Sequence, residues 1–299
     1  MNPTATIGQP GDPAAVRSLT FDDVVATYVV DGVLTIRPEN FFPATPRQGW
    51  DHLCTPAGEL VMSAGGLLVQ LAGTTVLIDA GVGMVTSSFT FGGVDCGSML
   101  EVLDSLGVRP EDIDVLAITH LHFDHAGWAF ANGARTFPNA RYAFSAQEWA
   151  PHAAGRLKEG EATPRHVISQ LSSGSADFEL VGDGDEIVPG VHALITPGHT
   201  PGHTSYVITS QTGRRLIAFG DAFHSSVQVA HPDWMSFADL DTARVKASRH
   251  RLLDLLSEPD TIGYGCHFGD QPFGRVAVDA AGQVTWEPVR SAVLAPPPR

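Results

Sequence analysis

Nine residues in the middle of the chain restrict its fold and its chemistry more than any other segment. Residues 119 to 127 read Thr-His-Leu-His-Phe-Asp-His-Ala-Gly and follow directly on an apolar run. On an extended segment alternate side chains point to the same side, so His120 and His122 can bind one cation together. Asp124 and His125 then turn toward a second cation. A histidine-rich surface loop is the competing interpretation, but four ligand-type residues in six positions favour a metal site.

Three further segments of the chain end in residues of ligand type. The loop after one apolar run contains His199 and His203, a second apolar run leads into Asp221, and a third leads into His267. Each of these alone is more often a hydrogen-bonded polar group or a cap. Because strand ends converge where strands lie side by side in a sheet, we expect all four segments to meet at one site. Imidazole and carboxylate groups suit zinc or another first-row divalent metal, and more than four such groups indicate two ions.

The order of these motifs, from about Leu67 to His267, resembles that of the metallo-β-lactamase superfamily. The resemblance implies an α/β (α+β) fold in the form of a four-layer αββα sandwich. It also implies a division of the ligands between two metal ions. His120, His122 and His199 would hold one ion, Asp124, His125 and His267 would hold the other, and Asp221 would bridge them. We expect Zn²⁺ at both positions, with iron, manganese and cobalt left open as alternatives.

Two further residues match supporting positions of the superfamily. His203 matches a second histidine of its loop, and we interpret it as a residue that supports the ligands, with a role as a ligand left open. Asp79 matches an aspartate at a strand end that supports a ligating histidine, and a turn-initiating aspartate before Gly81 is an equal alternative. Cys266 stands next to His267, and we interpret it as a small buried side chain and not as a ligand.

Hydrolysis of a carboxylic ester or a lactone is the reaction that we expect from a dinuclear centre. A hydroxide that bridges two metal ions is available at neutral pH, because the ions lower the pKa of water from about 15.7 toward 7. One ion can polarise a carbonyl oxygen while the other accepts the leaving oxygen, so no serine or cysteine nucleophile is needed. Asp124 would lie beside both water and leaving group, and we expect it to pass a proton to the leaving alkoxide.

The substrate class is suggested by the branch of the superfamily that the metal motif resembles. The run His-Leu-His-Phe-Asp-His-Ala-Gly is similar to that of quorum-quenching lactonases and of related organophosphate and aryl-ester hydrolases, which implies a small ester or lactone of the acyl-homoserine-lactone kind. The lactonases carry Tyr three residues after the bridging aspartate, where this chain has His224. We expect His224 to hydrogen-bond the substrate, with a surface histidine as the equal alternative. Organophosphate or phosphoester hydrolysis and a glyoxalase II-like thioesterase activity are the alternative functions.

The walls of the substrate pocket are predicted from apolar residues near the motifs. Residues 84 to 97 combine large apolar side chains with Ser, Thr and Gly, which suits a mobile flap, and residues 145 to 176 would form a helical cover. The residues expected to line the pocket are Met84, Phe89, Phe91, Trp128 and Trp149. Packing in the core is the more frequent role of aromatic residues at such spacing.

Composition and charge limit the domain organisation and the partners. The chain has 299 residues, 43% of them hydrophobic, and the order of its ligands requires one domain, placed at 19–290 between a flexible N-terminal tail (1–18) and a C-terminal tail (291–299). The 18 basic and 33 acidic residues give a net charge of −15, which disfavours nucleic acid as a partner. Three scattered cysteines and the absence of a signal pattern or long apolar run predict a soluble, cytoplasmic protein with no membrane partner. A homodimer is compatible with the sequence.

Local patterns predict two hairpins and two helices. Asp31-Gly32 stands between two apolar runs and predicts a two-residue hairpin turn, and residues 67 to 78 predict a second hairpin. The spacing of apolar residues predicts a helix over 98–106 and another that starts at Asp241 and ends ahead of Pro259.

Overall fold

Two large β-sheets lie face to face at the centre of the molecule, and helices cover their outer faces. The computed structural model describes residues 4–89, 92–156, 162–174, 177–278 and 282–298. In chain order the strands are β1 (Ala5–Thr6), β2 (Val16–Phe21), β3 (Val24–Ile36), β4 (Leu60–Leu71), β5 (Thr74–Ile78), β6 (Val85–Phe89), β7 (Gly92–Cys96), β8 (Val115–Ala117), β9 (Phe130–Ala131), β10 (Ala134–Arg135), β11 (Arg141–Ser145), β12 (Phe178–Val181), β13 (Glu186–Val188), β14 (Val191–Ile195), β15 (Thr204–Thr209), β16 (Arg215–Ala218), β17 (Thr261–Tyr264), β18 (Phe273–Val278), β19 (Val284–Pro288) and β20 (Ser291–Ala295). The α-helices are α1 (Pro38–Phe41), α2 (Met99–Ser105), α3 (Phe123–Ala126), α4 (Ala146–Ala153), α5 (Arg165–Ser172), α6 (Val227–Ala230) and α7 (Thr242–Leu256).

The direction of the strands decides where the loops of the site meet. The first sheet has the order β1-β20-β2-β3-β4-β5-β8-β11-β12, with the hairpin β6–β7 paired to β3, and the second has the order β13-β14-β15-β16-β17-β18-β19. In the first sheet β5, β8 and β11 are parallel. In the second, β14, β16 and β17 run in the same direction, because β15 is antiparallel to both of its neighbours and β16 is parallel to β17. The carboxyl ends of these strands therefore lie at one edge of each sheet.

Buried side chains from both sheets form the main core between them. The rings of Tyr28 in β3 and Tyr264 in β17 pack edge to face with centroids 5.4 Å apart. The Tyr28 hydroxyl donates a hydrogen bond to the Cys266 carbonyl oxygen at 2.8 Å, and the Tyr206 hydroxyl donates to the Ile118 carbonyl oxygen at 3.0 Å. Buried tyrosines of this kind fill the core with their rings, and their hydroxyl groups are hydrogen-bonded to carbonyl oxygens. These hydrogen bonds fix one sheet against the other close to the segments that carry His120 and His267.

Helices on the two outer faces complete four layers. Helix α2 packs on β3 of the first sheet, and α7 packs on β17 and β18 of the second. The Asp241 carboxylate caps α7 by accepting a hydrogen bond from the Arg244 N–H at 3.0 Å, and Leu252 and Leu256 are buried beneath the helix. The predicted αββα arrangement, both predicted helices and the hairpin of β4 and β5 are confirmed.

The prediction of a hairpin turn at Asp31-Gly32 is wrong. Strand β3 continues through this dipeptide, and a β-bulge lies there. A Cβ atom on Gly32 would lie 2.2 Å from the Asp95 carbonyl oxygen, so the glycine allows β7 to pair with β3 at this point. The buried carboxylate of Asp31 accepts hydrogen bonds from the backbone N–H groups of Val82, Gly83 and Met99 and from the indole N–H of Trp128.

The segments expected to be tails contain strands. Within 1–18, β1 pairs with β20 and β2 begins at Val16, while within 291–299, β20 pairs with both β1 and β2. Arg17 in β2 forms a buried salt bridge with Asp270 at 2.6 Å, which ties this end of the chain to the second sheet's loop region. The described part of the expected helical cover, 145–176, contains α4 and α5, and residues 157–161 and 175–176 lie outside the described residues. No helix of the described chain is both long enough and apolar enough to cross a bilayer.

Candidate metal centre

Ligand-type side chains from four loops meet at the edge where the carboxyl ends of the strands lie. His120 and His122 follow β8, and Asp124 and His125 lie in the short helix α3. His199 lies in the loop after β14, Asp221 follows β16 and His267 follows β17. The residues His120, His125, His199, Asp221 and His267 are at most 3% exposed. The structure thus brings together all seven residues that the sequence predicted as ligands.

The Asp221 carboxylate lies between two sets of imidazoles. Its Oδ2 atom is 3.3 Å from His199 Nε2 and 3.8 Å from His120 Nε2. Its Oδ1 atom is 3.1 Å from His125 Nε2 and 3.0 Å from His267 Nε2. Each carboxylate oxygen therefore faces one set of imidazoles.

Each set has an additional ligand-type residue at its edge. His122 Nδ1 lies 3.1 Å from His199 Nε2 and belongs to the first set. Asp124 lies beside the second set, with its Oδ2 3.7 Å from His267 Nε2 and its Oδ1 3.9 Å from His125 Nε2. Ligand atoms of the first set lie within 4.8 Å of one another, as do those of His125, Asp221, His267 and the buried Cys266.

Several of these inward-pointing atoms are buried and make no hydrogen bond of good geometry among the described residues, although the Asp221 carboxylate lies close to the imidazoles. These atoms are His120 Nε2, His125 Nε2, His267 Nε2 and Asp221 Oδ1. A buried polar atom with no partner costs about 1–3 kcal/mol, and divalent cations bound between these atoms would remove that cost. Imidazole and carboxylate are the donors that such cations accept, so the residues present fit a divalent metal centre.

In three of the histidines the ring nitrogen that points away from the centre is hydrogen-bonded to another part of the protein. These nitrogens donate hydrogen bonds: His125 Nδ1 to Asp79 Oδ2 at 2.8 Å, His199 Nδ1 to Asp239 Oδ1 at 3.1 Å and His267 Nδ1 to the Ser63 carbonyl oxygen at 2.8 Å. A hydrogen bond at Nδ1 fixes the tautomer in which Nε2 carries a lone pair for a cation. The rings are therefore oriented toward the centre before any ligand binds.

Asp79 supports the site and does not serve only as a turn residue. Besides His125, its carboxylate accepts hydrogen bonds from the N–H of Thr119 at 2.8 Å and from the Thr119 hydroxyl. Its backbone φ of 66° lies in the left-handed region, which is unfavourable for a residue with a Cβ. The contacts to both Thr119 and His125 explain why the chain holds an aspartate there.

His203 lies in the same cluster but has no nitrogen left for a cation. Its Nε2 accepts a hydrogen bond from the Asp221 N–H at 2.9 Å, and its Nδ1 donates to the Thr196 carbonyl oxygen at 3.1 Å. Burial lowers the pKa of His203 to about 3, with His199 adding to the effect, so the ring is neutral. This geometry agrees with the interpretation of His203 as a supporting residue, since it positions Asp221.

His224 is buried beside the first set and is not a surface residue. Its Nε2 lies 3.1 Å from Asp221 Oδ2, and its ring packs edge to face against Phe41 at 5.3 Å. Neither ring nitrogen has a hydrogen-bond partner among the described residues. Burial lowers the pKa of His224. A neutral imidazole with unused nitrogens therefore faces the cavity next to the candidate metal centre.

The charge of Asp221 follows from its neighbours. Burial alone would raise the pKa of this carboxyl group, but the surrounding histidines, His125 and His267 most of all, outweigh burial and hold its pKa well below the usual range. The ionised form is the one that can bridge cations.

Sequence reasoning missed Asp239, which holds His199. Asp239 is buried, and its second oxygen accepts a hydrogen bond from the Ser236 N–H at 2.8 Å and faces the guanidinium of Arg249 at 3.4 Å. Burial would raise the pKa of Asp239, but the hydrogen bond from His199 and the nearby charges lower it overall. No strand end precedes this aspartate, so the signal that marked the other residues was absent.

A cavity of about 450 Å³ opens beside Asp221. Its polar face consists of His122, Asp124, His199, Asp221 and His224. Its apolar face consists of Leu34, Ile36, Phe41, Met62, Phe89, Val94, Phe123, Ala162, Phe237 and Ala238. Among the described residues that line the cavity there is no Lys or Arg.

Only part of the predicted pocket wall lies on this cavity. Phe89 lines it, and Phe91 lies outside the described residues. Met84 is 80% exposed and lies outside the lining. Trp128 is buried in the main core with its indole N–H on Asp31, and Trp149 packs against neighbouring aromatic rings of the first sheet. The two tryptophans thus take the packing role that was the alternative.

Two face-to-face sheets with a buried histidine and aspartate cluster at their strand ends define an α/β protein with a divalent metal centre. The sequence profile described as the metallo-beta-lactamase superfamily matches residues 66–267. The chain belongs to the metallo-β-lactamase superfamily, as its motifs predicted.

Relatives within the superfamily are lactonases by name. An N-acyl homoserine lactonase of a Bacillus species is 27% identical over 261 residues, which cover 81% of this chain and 97% of that protein. The N-acyl homoserine lactonase AiiA of Bacillus thuringiensis subsp. kurstaki is 27% identical over 253 residues, which cover 78% of this chain and 94% of the relative.

Solved structures with the same fold cover nearly the whole chain. AidC, a dizinc quorum-quenching lactonase solved in complex with a product, superposes with a TM-score of 0.79 at 22% identity, over 93% of this chain and 98% of AidC. The hydrolase AbOPH has a TM-score of 0.79 at 24% identity, over 92% of this chain and 98% of AbOPH. At these identities the likeness is one of fold.

Proposed function

We propose that the protein is a metal-dependent hydrolase that opens the ring of lactones, with N-acyl-homoserine lactones as the substrate class. The observation that carries the proposal is the Asp221 carboxylate, whose two oxygens face two sets of histidines at the end of a largely apolar cavity. The names of the relatives support the same substrate class. An N-acyl-homoserine lactone is neutral and has a polar ring and an apolar acyl chain, which suits a cavity with one polar and one apolar face.

The metal centre in this proposal holds two divalent ions, and zinc is the metal that we propose. The first ion would be held by His120, His122, His199 and Asp221, and the second by Asp124, His125, His267 and Asp221. Divalent ions at such a site supply the nucleophile by lowering the pKa of water, and they polarise the scissile carbonyl group.

The remaining residues of the polar face orient the substrate and move a proton. His224 Nε2 or Nδ1 donates a hydrogen bond to a substrate oxygen, because both nitrogens are buried and without a partner in the described residues. Asp124 lines the cavity, and it would take a proton from the attacking water and pass it to the alkoxide that leaves when the ring C–O bond breaks. The apolar face holds the acyl chain and excludes water from it.

The test measures ring opening directly. Metal-replete protein is mixed with N-hexanoyl- and N-decanoyl-homoserine lactone in weak buffer, and the acid released by ring opening is followed with a pH indicator. We expect turnover of both lactones and a lower rate on a matched phosphotriester and on a glutathione thioester. Absence of lactone turnover contradicts the substrate class, and faster phosphotriester hydrolysis would assign the same centre to organophosphates instead.

Metal content tests the dinuclear part separately. Elemental analysis of protein reconstituted with zinc is expected to give two equivalents per chain. Asp233→Asn is a matched control for substitutions of the ligand carboxylates, such as Asp221→Asn. Asp233 is exposed, and among the described residues it pairs only with Lys246 on the surface. One equivalent or less in the unaltered protein contradicts the two-ion centre.

A further inference from the structure

A buried carboxylate outside both ligand sets joins two of the loops that carry the ligands. Glu148 in α4 is 3% exposed, and among the described residues its carboxylate accepts hydrogen bonds from Leu121, Thr200 and Gly202 and from no ligand-type residue of the metal centre. A carboxylate at such depth is unfavourable unless hydrogen-bond donors surround it. The fold therefore keeps a charged or strongly polar group at this buried position, and specific hydrogen bonds must stabilise it there.

Two of the three donors to Glu148 are next to ligands in the sequence, and the third is next to the supporting residue His203. Its Oε1 accepts a hydrogen bond from the N–H of Leu121 at 3.0 Å, and Leu121 stands between His120 and His122. Its Oε2 accepts from the Thr200 hydroxyl at 2.7 Å, directly after His199. The same Oε2 accepts from the N–H of Gly202 at 3.1 Å, directly before His203.

The second loop is also pressed against the start of α4. A Cβ atom on Gly202 would lie 1.9 Å from the Glu148 backbone nitrogen, so this position excludes any larger residue. The Ser145 hydroxyl donates to the Gly202 carbonyl oxygen at 2.6 Å and accepts from the Glu148 N–H at 3.0 Å. The loop is thus fixed to the helix by its backbone, and Glu148 fixes the helix to the first loop.

We infer that Glu148 is a positioning residue for the first metal site, because it sets the distance between the His120–His122 loop and the His199 loop. The inference rests on the proposed metal centre and adds a residue that acts through other residues. One loop comes from the first sheet and the other from the second, so a single carboxylate fixes ligands of the two sheets relative to each other. The 3.1 Å separation of His122 Nδ1 and His199 Nε2 is the quantity that it controls.

Glu148→Gln tests this because an amide has one acceptor oxygen and not two. Either the Leu121 N–H or the Thr200 and Gly202 donors then lose their acceptor, while volume is retained. We expect the affinity for one of the two zinc equivalents, measured by competition with a chromophoric chelator, to fall about tenfold, while the other equivalent stays bound as in the unaltered protein. In the cobalt-substituted protein the d–d absorption band is expected to change, which reports on ligand geometry.

Asp31→Asn is the matched control. Asp31 is also a buried carboxylate that accepts backbone N–H groups, but its donors are the N–H groups of Val82, Gly83 and Met99 and the indole N–H of Trp128, none of which is next to a ligand of the first metal site in the sequence. We expect this variant to lose stability of the apoprotein toward urea while the metal affinity stays within about twofold of the unaltered protein. An equal loss of metal affinity in both variants would overturn the inference.

Thr200→Val provides a second variant that removes one hydrogen bond without changing shape. We expect a smaller fall in metal affinity than for Glu148→Gln, in the same direction. Where Glu148→Gln does not fold, a fall in Thr200→Val supports the inference and an unchanged affinity overturns it. Failure of the unaltered protein to bind two metals would contradict the proposed centre itself, whereas full binding with unaltered affinity in the variants contradicts only the role of Glu148.

Discussion

The polar face and the apolar face of the cavity are built in different ways. On the polar face several side chains are fixed by further polar contacts, such as His199 on Asp239 and Asp221 between His125 and His267. On the apolar face the side chains come from β3, α1, β4, the β6–β7 hairpin, α3 and the segments at residues 162 and 237–238, and as aliphatic, aromatic and thioether groups they carry no hydrogen-bond donor. We therefore expect substitutions on the polar face to act on metal and turnover, and substitutions on the apolar face to act on substrate choice.

Asp221→Asn is expected to have the largest effect. An amide cannot offer an anionic oxygen to each of the two sets, so zinc content should fall from two equivalents to one or fewer and lactone turnover should fall at least about a thousandfold. Elemental analysis and initial rates measure the two quantities. Asp233→Asn serves as the control with both values unchanged. Two tightly bound equivalents in Asp221→Asn would remove the bridge from the centre.

Removal of metal from the unaltered protein with a chelator tests the polar face alone, without any substitution. Prolonged dialysis against a strong chelator should abolish turnover, and added zinc should restore it. Because the burial of His120, His125 and His267 leaves their nitrogens without partners once metal is removed, the apoprotein should also unfold at a lower temperature. Calorimetry with and without zinc checks this. Turnover that persists in protein freed of metal would contradict a metal-dependent reaction.

Asp239→Asn should have an intermediate effect. The amide oxygen can still accept the His199 Nδ1–H, but the negative charge that faces Arg249 is lost, and both the basicity of His199 and the order of its loop depend on it. We expect the zinc affinity or turnover to fall about 10- to 100-fold. Chelator competition and initial rates with the Asp233→Asn control measure this. Values within twofold of the unaltered protein would show that Asp239 only fills space.

The contrast between residues marked by a local pattern and residues defined by tertiary contacts explains which parts of the site the sequence predicts. His120, His199, Asp221 and His267 were found because each follows an apolar run, and parallel strands bring such positions together whatever the details of the loops. Asp239 was missed because its role depends on a tertiary contact with His199 and on no local pattern.

The apolar face shows the limit of sequence patterns more clearly. Leu34 and Met62 lie in strands whose other residues enter the core, and nothing in the sequence separates a side chain that lines the cavity from one that is packed. The apolar Met84 among Ser, Thr and Gly residues predicts a flap over the pocket, yet this residue lies exposed outside the cavity lining. Asp31-Gly32 has the composition of a turn, but the four donors around Asp31 hold the dipeptide in a bulge within a continuous strand.

Phe237→Ala should have the smallest effect and should change selectivity more than rate. The Phe237 ring lies on the cavity and packs edge to face on Phe41 with centroids 5.0 Å apart, so its removal takes apolar contact from the acyl chain. A loss of about 1 kcal/mol of apolar contact corresponds to a roughly fivefold rise in KM for N-decanoyl-homoserine lactone, with little change in kcat and little change for a short acyl chain. Leu240→Ala is the matched control, because Leu240 is 60% exposed and lies outside the cavity lining. An equal rise in KM for short and long acyl chains would mean that the apolar face does not hold the acyl group. The proposed roles of the two faces would then be wrong.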